Sequence, residues 1–437
     1  MSLINRNFLE QAQVAAQEQN WQRVNQYLQQ VLEPNQAFAI PPTADEQAEL
    51  EPVVSLALDV LVGGDFSARW EVAKTFPKLG TAVTAPLIGI LEDAEADLEL
   101  RWFAARILGG FECPEVVTAL VELLKNDDQE DLMGMAAEAL ASLGPLAVAA
   151  LSELLAQEST RLLAVRSLSQ IRRCEIISPL LTVVQDPQVL VRATAIEALG
   201  SFHNSDIPPV LVSALTDSAA IVRRAAVSGL SFRADLLEEL DLVNQIQPLL
   251  WDFDWEVCAA AASALGRLGT DAAADALFEV LESPNTPVSL QVGIVRALGW
   301  TNTAKALAYL QQALQLETLV CQEVVSVLGR IQPPHLTAQA TQMLIDVLQS
   351  EHPATQAPPV KQALALSLGQ LGELKAINPL IELLSDPDAG VRLHAIAALK
   401  KLAPEAAHRQ LEDLAQDEQL IPALKQGVAI ALSEWSV

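Results

Sequence analysis

The chain has 437 residues, 51% of them hydrophobic and only 4% aromatic, and its 27 Lys and Arg face 55 Asp and Glu for a formal charge of −28. That balance argues against a sequence-independent grip on a phosphate backbone and against electrostatic docking on an anionic membrane; it favours basic partners. No apolar run approaches the roughly 20 residues of a membrane span, and Cys113, Cys174, Cys258 and Cys321 are too scattered for a disulfide framework or a structural zinc site.

Residues 1–20 are polar and carry no secretory apolar core, so the expected compartment is reducing and cytoplasmic. Phe8, Leu9, Ala12 and Ala15, then Trp21, Val24, Leu28 and Val31, recur at helical spacing. They predict two short amphipathic helices with a break near Asn20. Glu33 to Glu49, with Pro34, Pro41 and Pro42, reads as a linker. Residues 1–50 are thus a helical hairpin and its linker, expected to cap a stack of repeats, because a terminal repeat needs a polar outer face.

From Glu51 onward one pattern recurs, seen most plainly from Asp186 to Phe202. Asp186-Pro187 turns the chain, Val191 and Arg192 open a helix, and Ala195, Ala198 and Leu199 form its apolar stripe. Gly200 is expected to close it with φ > 0. The position of Arg192 is held in turn by Arg69, Arg101, Met133, Arg161, Arg192, Arg223, Cys258, Gln291, Cys321, Lys361, Arg392 and Lys425, at spacings between 28 and 40 residues. A small or aliphatic residue follows three positions on and Leu or an equivalent seven positions on. A period of about 30 residues with two helices each and no strand pattern predicts an all-α protein. The expected architecture for residues 51–437 is a right-handed α-solenoid of about twelve helical hairpins. The widest spacing, Cys321 to Lys361, contains His352 to Pro359, expected to be an exposed inserted loop.

An Asp stands six residues before this position in Asp186/Arg192, Asp217/Arg223, Asp252/Cys258 and Asp386/Arg392. Arg at a helix start can fork its donors to carboxylates and carbonyls of its own or the adjacent turn, so the expectation is a structural ladder between layers. Asp252 lacks an Arg of its own, and Arg223 is its candidate partner.

If the second helices line a concave face, positions one and five after each Arg point into it. In the first two repeats these are Trp70, Lys74, Trp102 and Arg106, the leading candidate binding patch, because aromatic and Arg anchors dominate interface energies. The competing reading packs the Trp pair against the N-terminal hairpin. Arg166, Arg296 and Trp300 are further candidates on that face. Trp251-Asp252-Phe253-Asp254-Trp255 stands where other repeats have Asp-Pro; its Trp251, Phe253 and Trp255 suit a protein contact if exposed, although such rings more often fold back onto the next layer. No phosphate loop, HExxH or nucleophile elbow occurs, Cys113-Pro114 is a lone thiol at a helix start, and His203, His335, His352, His394 and His408 have no metal-ligand spacing.

Glu99 to Gly109, reading Glu-Leu-Arg-Trp-Phe-Ala-Ala-Arg-Ile-Leu-Gly, and Pro379 to Arg392 resemble HEAT repeats of the phycobilisome-lyase type. The resemblance covers about residues 51–437. It implies a HEAT solenoid and a cyanobacterial setting, in which related proteins either attach open-chain tetrapyrroles to antenna-protein cysteines or act as assembly partners. The Arg101-Trp102-Phe103-Ala104-Ala105 run is similar to that of E-type lyase subunits, whereas two Tyr and five His in the whole chain depart from what a bilin cleft would carry. The leading expectation is a non-catalytic protein-binding scaffold or assembly factor of the phycobilisome or another cofactor protein, with no metal, no cofactor and no nucleic acid. The alternative is a phycobilin lyase or chromophore chaperone holding a bilin.

Overall fold

The computed structural model describes residues 6–32, 44–350 and 353–435. These form 26 α-helices and seven 3₁₀ segments, with no strand among the described residues, and no helix long and apolar enough to cross a membrane. The chain divides into two compact units, Met1–Phe202 and His203–Val437.

In the first unit, helices Arg6–Gln17 and Trp21–Val31 pack on each other through Ala12, Ala15, Val24, Leu28 and Val31. Gln19 takes a left-handed conformation at the break, and Asn20 caps the second helix by accepting from the Arg23 N–H at 3.2 Å. The hairpin lies on the first repeat. Asn25 Nδ2 donates to the Ala68 carbonyl at 3.0 Å, and the Trp21 ring sits where a Cβ on Gly63 would approach within 2.7 Å.

The expected linker is shorter than the sequence implies. Helix Ala44–Gly63 begins inside it and runs through Pro52, while residues 33–43 lie outside the described residues. Proline removes one helical hydrogen bond, but Val53, Ala57, Val60 and Leu61 bury their side chains along the same helix. Burial of four aliphatic groups outweighs the lost bond.

Five hairpins follow the cap in the first unit and seven make the second, each a first helix and a second helix. All twelve positions equivalent to Arg192 fall near the start of a second helix, for example Leu98–Leu108, Val189–Leu199 and Ala389–Leu402. The residues three and seven positions on, such as Ala104 and Leu108, Ala195 and Leu199, or Ala395 and Leu399, are fully buried. The expected all-α solenoid of helical hairpins is what each unit shows.

Gly200 does not end its helix in a left-handed turn; its φ is −58°. The equivalent glycines show why the position is small. A Cβ on Gly109 would come within 2.9 Å of the Ala139 Cα, and one on Gly369 within 2.8 Å of the Ala398 Cα, so adjacent second helices touch there. The left-handed residue comes three positions later, at Gly80, Gly144, Gly269, Asn302 and Gly372. The expected inserted loop also differs. Its extra residues lengthen helix Pro334–Gln349 and form a 3₁₀ turn, Pro353–Gln356, in which Ala354 and Thr355 are buried; His352 lies outside the described residues.

Candidate functional site

The cations of the Arg192 register reach forward to the aspartate of the following repeat. Arg101 meets Asp127 at 2.8 Å, Arg161 meets Asp186 at 2.8 Å, and Lys361 meets Asp386 at 2.5 Å. Arg69 meets both Asp97 and Glu99, at 2.8 and 2.7 Å. Arg223 grips Asp252 with Nε and Nη2, both at 2.7 Å. A carboxylate oxygen of these aspartates also closes the turn on its own backbone; in Asp252 it is the same Oδ1 that Arg223 Nη2 reaches. Asp186 accepts from Gln188 N, Asp252 from Asp254 N and Asp386 from Asp388 N, at 2.8, 2.8 and 2.9 Å. One aspartate therefore shapes its own turn and ties down the previous layer.

Within a repeat the Arg reaches the aspartate's carbonyl rather than its carboxylate. Arg192, Arg223 and Arg392 donate from Nη1 to the carbonyls of Asp186, Asp217 and Asp386 at 2.8, 2.7 and 2.7 Å. Cys258 substitutes its thiol in that role, with Sγ 3.1 Å from the Asp252 carbonyl oxygen. Hydrogen bonds from Arg223 hold the Asp252 carboxyl below its ordinary range against the opposing effect of burial. Burial pushes the Cys258 thiol up and the Cys321 thiol up to about 11. These are packing thiols, since the reactive form is the thiolate.

Helices Phe66–Ala73 and Leu98–Leu108 bring Trp70, Trp102 and Arg106 together. The Arg106 guanidinium carbon lies 4.4 Å from the Trp70 ring centroid and 5.7 Å from that of Trp102. Phe66 stacks on Trp70 at 6.0 Å, and buried Phe103 meets Trp102 edge-on at 5.2 Å. Trp70 and Arg106 are exposed and Trp102 is half-buried. The N-terminal hairpin presents Trp21 and Asn25 to the first repeat, while the rings of the Trp pair are occupied by Phe66, Phe103 and Arg106. Lys74 stays apart from that stack in an ion pair with Glu71 on its own helix, at 2.6 Å.

Arg166 is exposed on helix Glu158–Gln170 and forms no ion pair with a described residue. In the second unit Arg296 forks onto Glu323 at 2.7 and 3.1 Å, and Trp300, 49% exposed, borders a cleft of about 360 Å³ with Arg296, Arg330 and Gln332. Trp251, Phe253 and Trp255 do not fold back; they are 51%, 108% and 70% exposed. The acids between them are engaged, Asp252 by Arg223 and Asp254 by capping the next helix at Glu256 N and Val257 N. With both aspartates turned to the backbone and the layer behind, the rings are left in water. Sequence reading missed Phe232, Arg267 and Arg330, which stand nine residues after Arg223, Cys258 and Cys321; it singled out Trp300 at that register, nine after Gln291, but did not carry the position to the neighbouring repeats.

Among the described residues no group of three or more His, Cys, Asp or Glu side chains is placed to hold a metal ion. A family model for HEAT repeats matches residues 84–162, 156–231, 242–318 and 355–433. Among solved structures, importin beta is similar over 98% of this chain and 64% of its own, at 12% identity and a TM-score of 0.52. The Kap95:Nup1 complex matches over 98% of this chain and 65% of that chain, at 15% identity and a TM-score of 0.54. A Kap121p mutant matches over 91% and 51%, at 13% identity and a TM-score of 0.54. The chain therefore spans less than two thirds of each of these proteins, and at such identities the likeness is one of fold. No curated protein matches the chain in sequence.

Proposed function

Because the chain belongs to the HEAT-repeat family, we propose that it is a non-catalytic protein-binding scaffold anchored at the Trp70–Arg106–Trp102 stack. Its finer role, in this reading, is assembly of the phycobilisome or another cofactor protein in the cytoplasm. One observation carries the proposal: a guanidinium held between two indoles at 4.4 and 5.7 Å on the surface of a chain of charge −28. Stacking fixes the plane of the Arg106 group and leaves its edge donors to water, an arrangement suited to a partner carboxylate. The exposed Trp70 indole and the half-buried Trp102 indole beside it supply rigid apolar area at small entropic cost. The structure named for the Kap95:Nup1 complex supports a protein ligand for this type of solenoid.

A second reading has the same stack holding a bilin. The flat guanidinium between two rings also suits a planar ligand with a propionate, and the Arg101 to Ala105 run resembles that of lyase subunits. Affinity capture with the full chain, from extracts of the organism that makes it, separates the two. A scaffold retains a protein at fixed stoichiometry and leaves the absorption of added free bilin unchanged. A lyase or chaperone shifts that absorption and speeds chromophore transfer to an apo antenna subunit. Capture of neither contradicts both readings.

A further inference from the structure

The ends of four successive second helices in the second unit carry a pattern that neither the ladder nor the N-terminal stack uses. Nine residues after Arg223, Cys258, Gln291 and Cys321 stand Phe232, Arg267, Trp300 and Arg330, alternating ring and cation. All four are exposed. The Arg267 guanidinium carbon lies 4.9 Å from the Phe232 ring centroid and 5.9 Å from that of Trp300, so three layers are joined by one aromatic–cation–aromatic stack. Arg267 Nη1 donates to Ser231 Oγ at 3.1 Å, and its other donors form no hydrogen bond to a described residue. Arg330 forms no ion pair with any described residue and lines the cleft of about 360 Å³ beside Trp300.

A stack that served only to hold the layers together would cover its rings. Phe232 instead leaves 67% of its surface in water and Trp300 leaves 49%. Neither Arg267 nor Arg330 forms an ion pair with a described residue, so both guanidiniums are open to a partner's carboxylates in a chain of 55 acids and 27 cations. We propose that this stripe docks an extended acidic segment of a partner protein, with apolar and carboxylate side chains alternating on one face. This rests on the reading of the chain as a protein-binding scaffold, but not on the N-terminal stack. Guanidinium forks match carboxylates, and the ring faces take the apolar side chains. Side chains on one face of an extended strand recur every second residue, about 6.6 Å apart; the head-group separations of 4.9 and 5.9 Å here are shorter, a difference that flexible Glu side chains take up. The acidity of the remaining surface repels such a segment elsewhere and confines it to the stripe.

The test is fluorescence anisotropy on the full chain. The probe is a fluorescein-labelled peptide in which Phe and Glu alternate at every second position with Ser between them. It should bind, a Lys-for-Glu version should not, and a version of the same composition with its Glu residues contiguous should bind at least fivefold more weakly. Arg330→Glu and Arg267→Glu should each weaken binding at least tenfold. Lys125→Glu, an equal change of charge on the other unit, should leave it unaltered. If circular dichroism shows that a charge reversal disturbs folding, Arg330→Gln and Arg267→Gln replace it, with at least threefold weakening expected. Absence of binding, equal binding of the Lys peptide, or indifference to the Arg330 variants overturns the proposal. A partner that is captured by the full chain and is sensitive only to Arg106 would leave the scaffold reading standing while this stripe fails.

Discussion

Replacing Arg223 by Met tests whether the forward-reaching ladder stabilises the stack. Arg223 makes two hydrogen bonds to the Asp252 carboxylate, both at 2.7 Å, and two to the carbonyls of Asp217 and Ser218, at 2.7 and 3.1 Å. Its side chain is 16% exposed and that of Asp252 9%. Met keeps most of the aliphatic stem and removes every donor. The two carbonyls lie at the turn and regain water; the carboxylate keeps only its bond from Asp254 N. Breaking one side of a buried pair costs about 3–5 kcal/mol, and the partial exposure places this one near 3, a roughly 100-fold rise in local opening. Hydrogen exchange across helices Ala220–Leu230 and Trp255–Leu268, with urea unfolding alongside, reads it. The loss must also depend on pH. Asp252 has a folded-state pKa below its ordinary value of 3.8, mainly through Arg223, so the pair's contribution is full above that value and disappears as pH falls through the lower, folded one. The gap between wild type and variant should therefore close as pH drops below about 4. Unchanged exchange at pH 7, or a gap that persists in acid, would refute the ladder as described.

Gly369→Ala places a Cβ 2.8 Å from the Ala398 backbone and should cost about 1–3 kcal/mol by overpacking, whereas Gly293→Ala, in helix Val288–Thr301 with nothing within 4 Å, should stabilise by about 0.5–1 kcal/mol; paired thermal melts check both signs. Iodoacetamide at pH 8 should label exposed Cys174 in the native protein and spare Cys258 and Cys321 until denaturant is added, because burial raises both thiols. Removing residues 1–43 leaves helix Ala44–Gly63 intact but uncovers Ala68 and the Gly63 surface, so light scattering after size exclusion should show association, and a stable monomer would mean that the hairpin is no cap.

The architecture was legible because packing repeats with the chain. The small or aliphatic residue and the Leu or its equivalent of each second helix mark every layer, and an Asp before the helix marks several, each buried or bonded for a reason that recurs. Gly200 was misread because a glycine at a helix end has two explanations, a left-handed turn or a close approach, and only coordinates distinguish Gly369 against Ala398 from Gly372 with φ +76°. Trp251, Phe253 and Trp255 were likewise ambiguous. Their exposure follows from which bonds Asp252 and Asp254 make, and that is a property of the neighbouring layer. Lys74 shares the register of Arg106 but lacks a ring partner, because Glu71 one turn before it is the nearer charge. The linker boundary was misplaced because Pro41 and Pro42 signal a break, while the apolar residues that bury helix Ala44–Gly63, such as Val53, Ala57 and Val60, lie beyond Glu49.

The central claim is that the Trp70–Arg106–Trp102 stack binds a partner rather than holding the repeats together. The direct measurement is partner affinity and unfolding free energy on the same preparations of wild type, Trp102→Ala and Arg106→Ala. Trp102 is half-buried and Arg106 exposed, so neither change should reach the roughly 3–5 kcal/mol of a core aromatic truncation. The account predicts that Trp102→Ala loses about 2 kcal/mol or more of affinity, and that Arg106→Ala weakens binding and flattens its salt dependence, with stability changed by less than about 1.5 kcal/mol. Variants that unfold more readily yet bind with full affinity once folded would make the stack part of the packing and place the binding surface elsewhere.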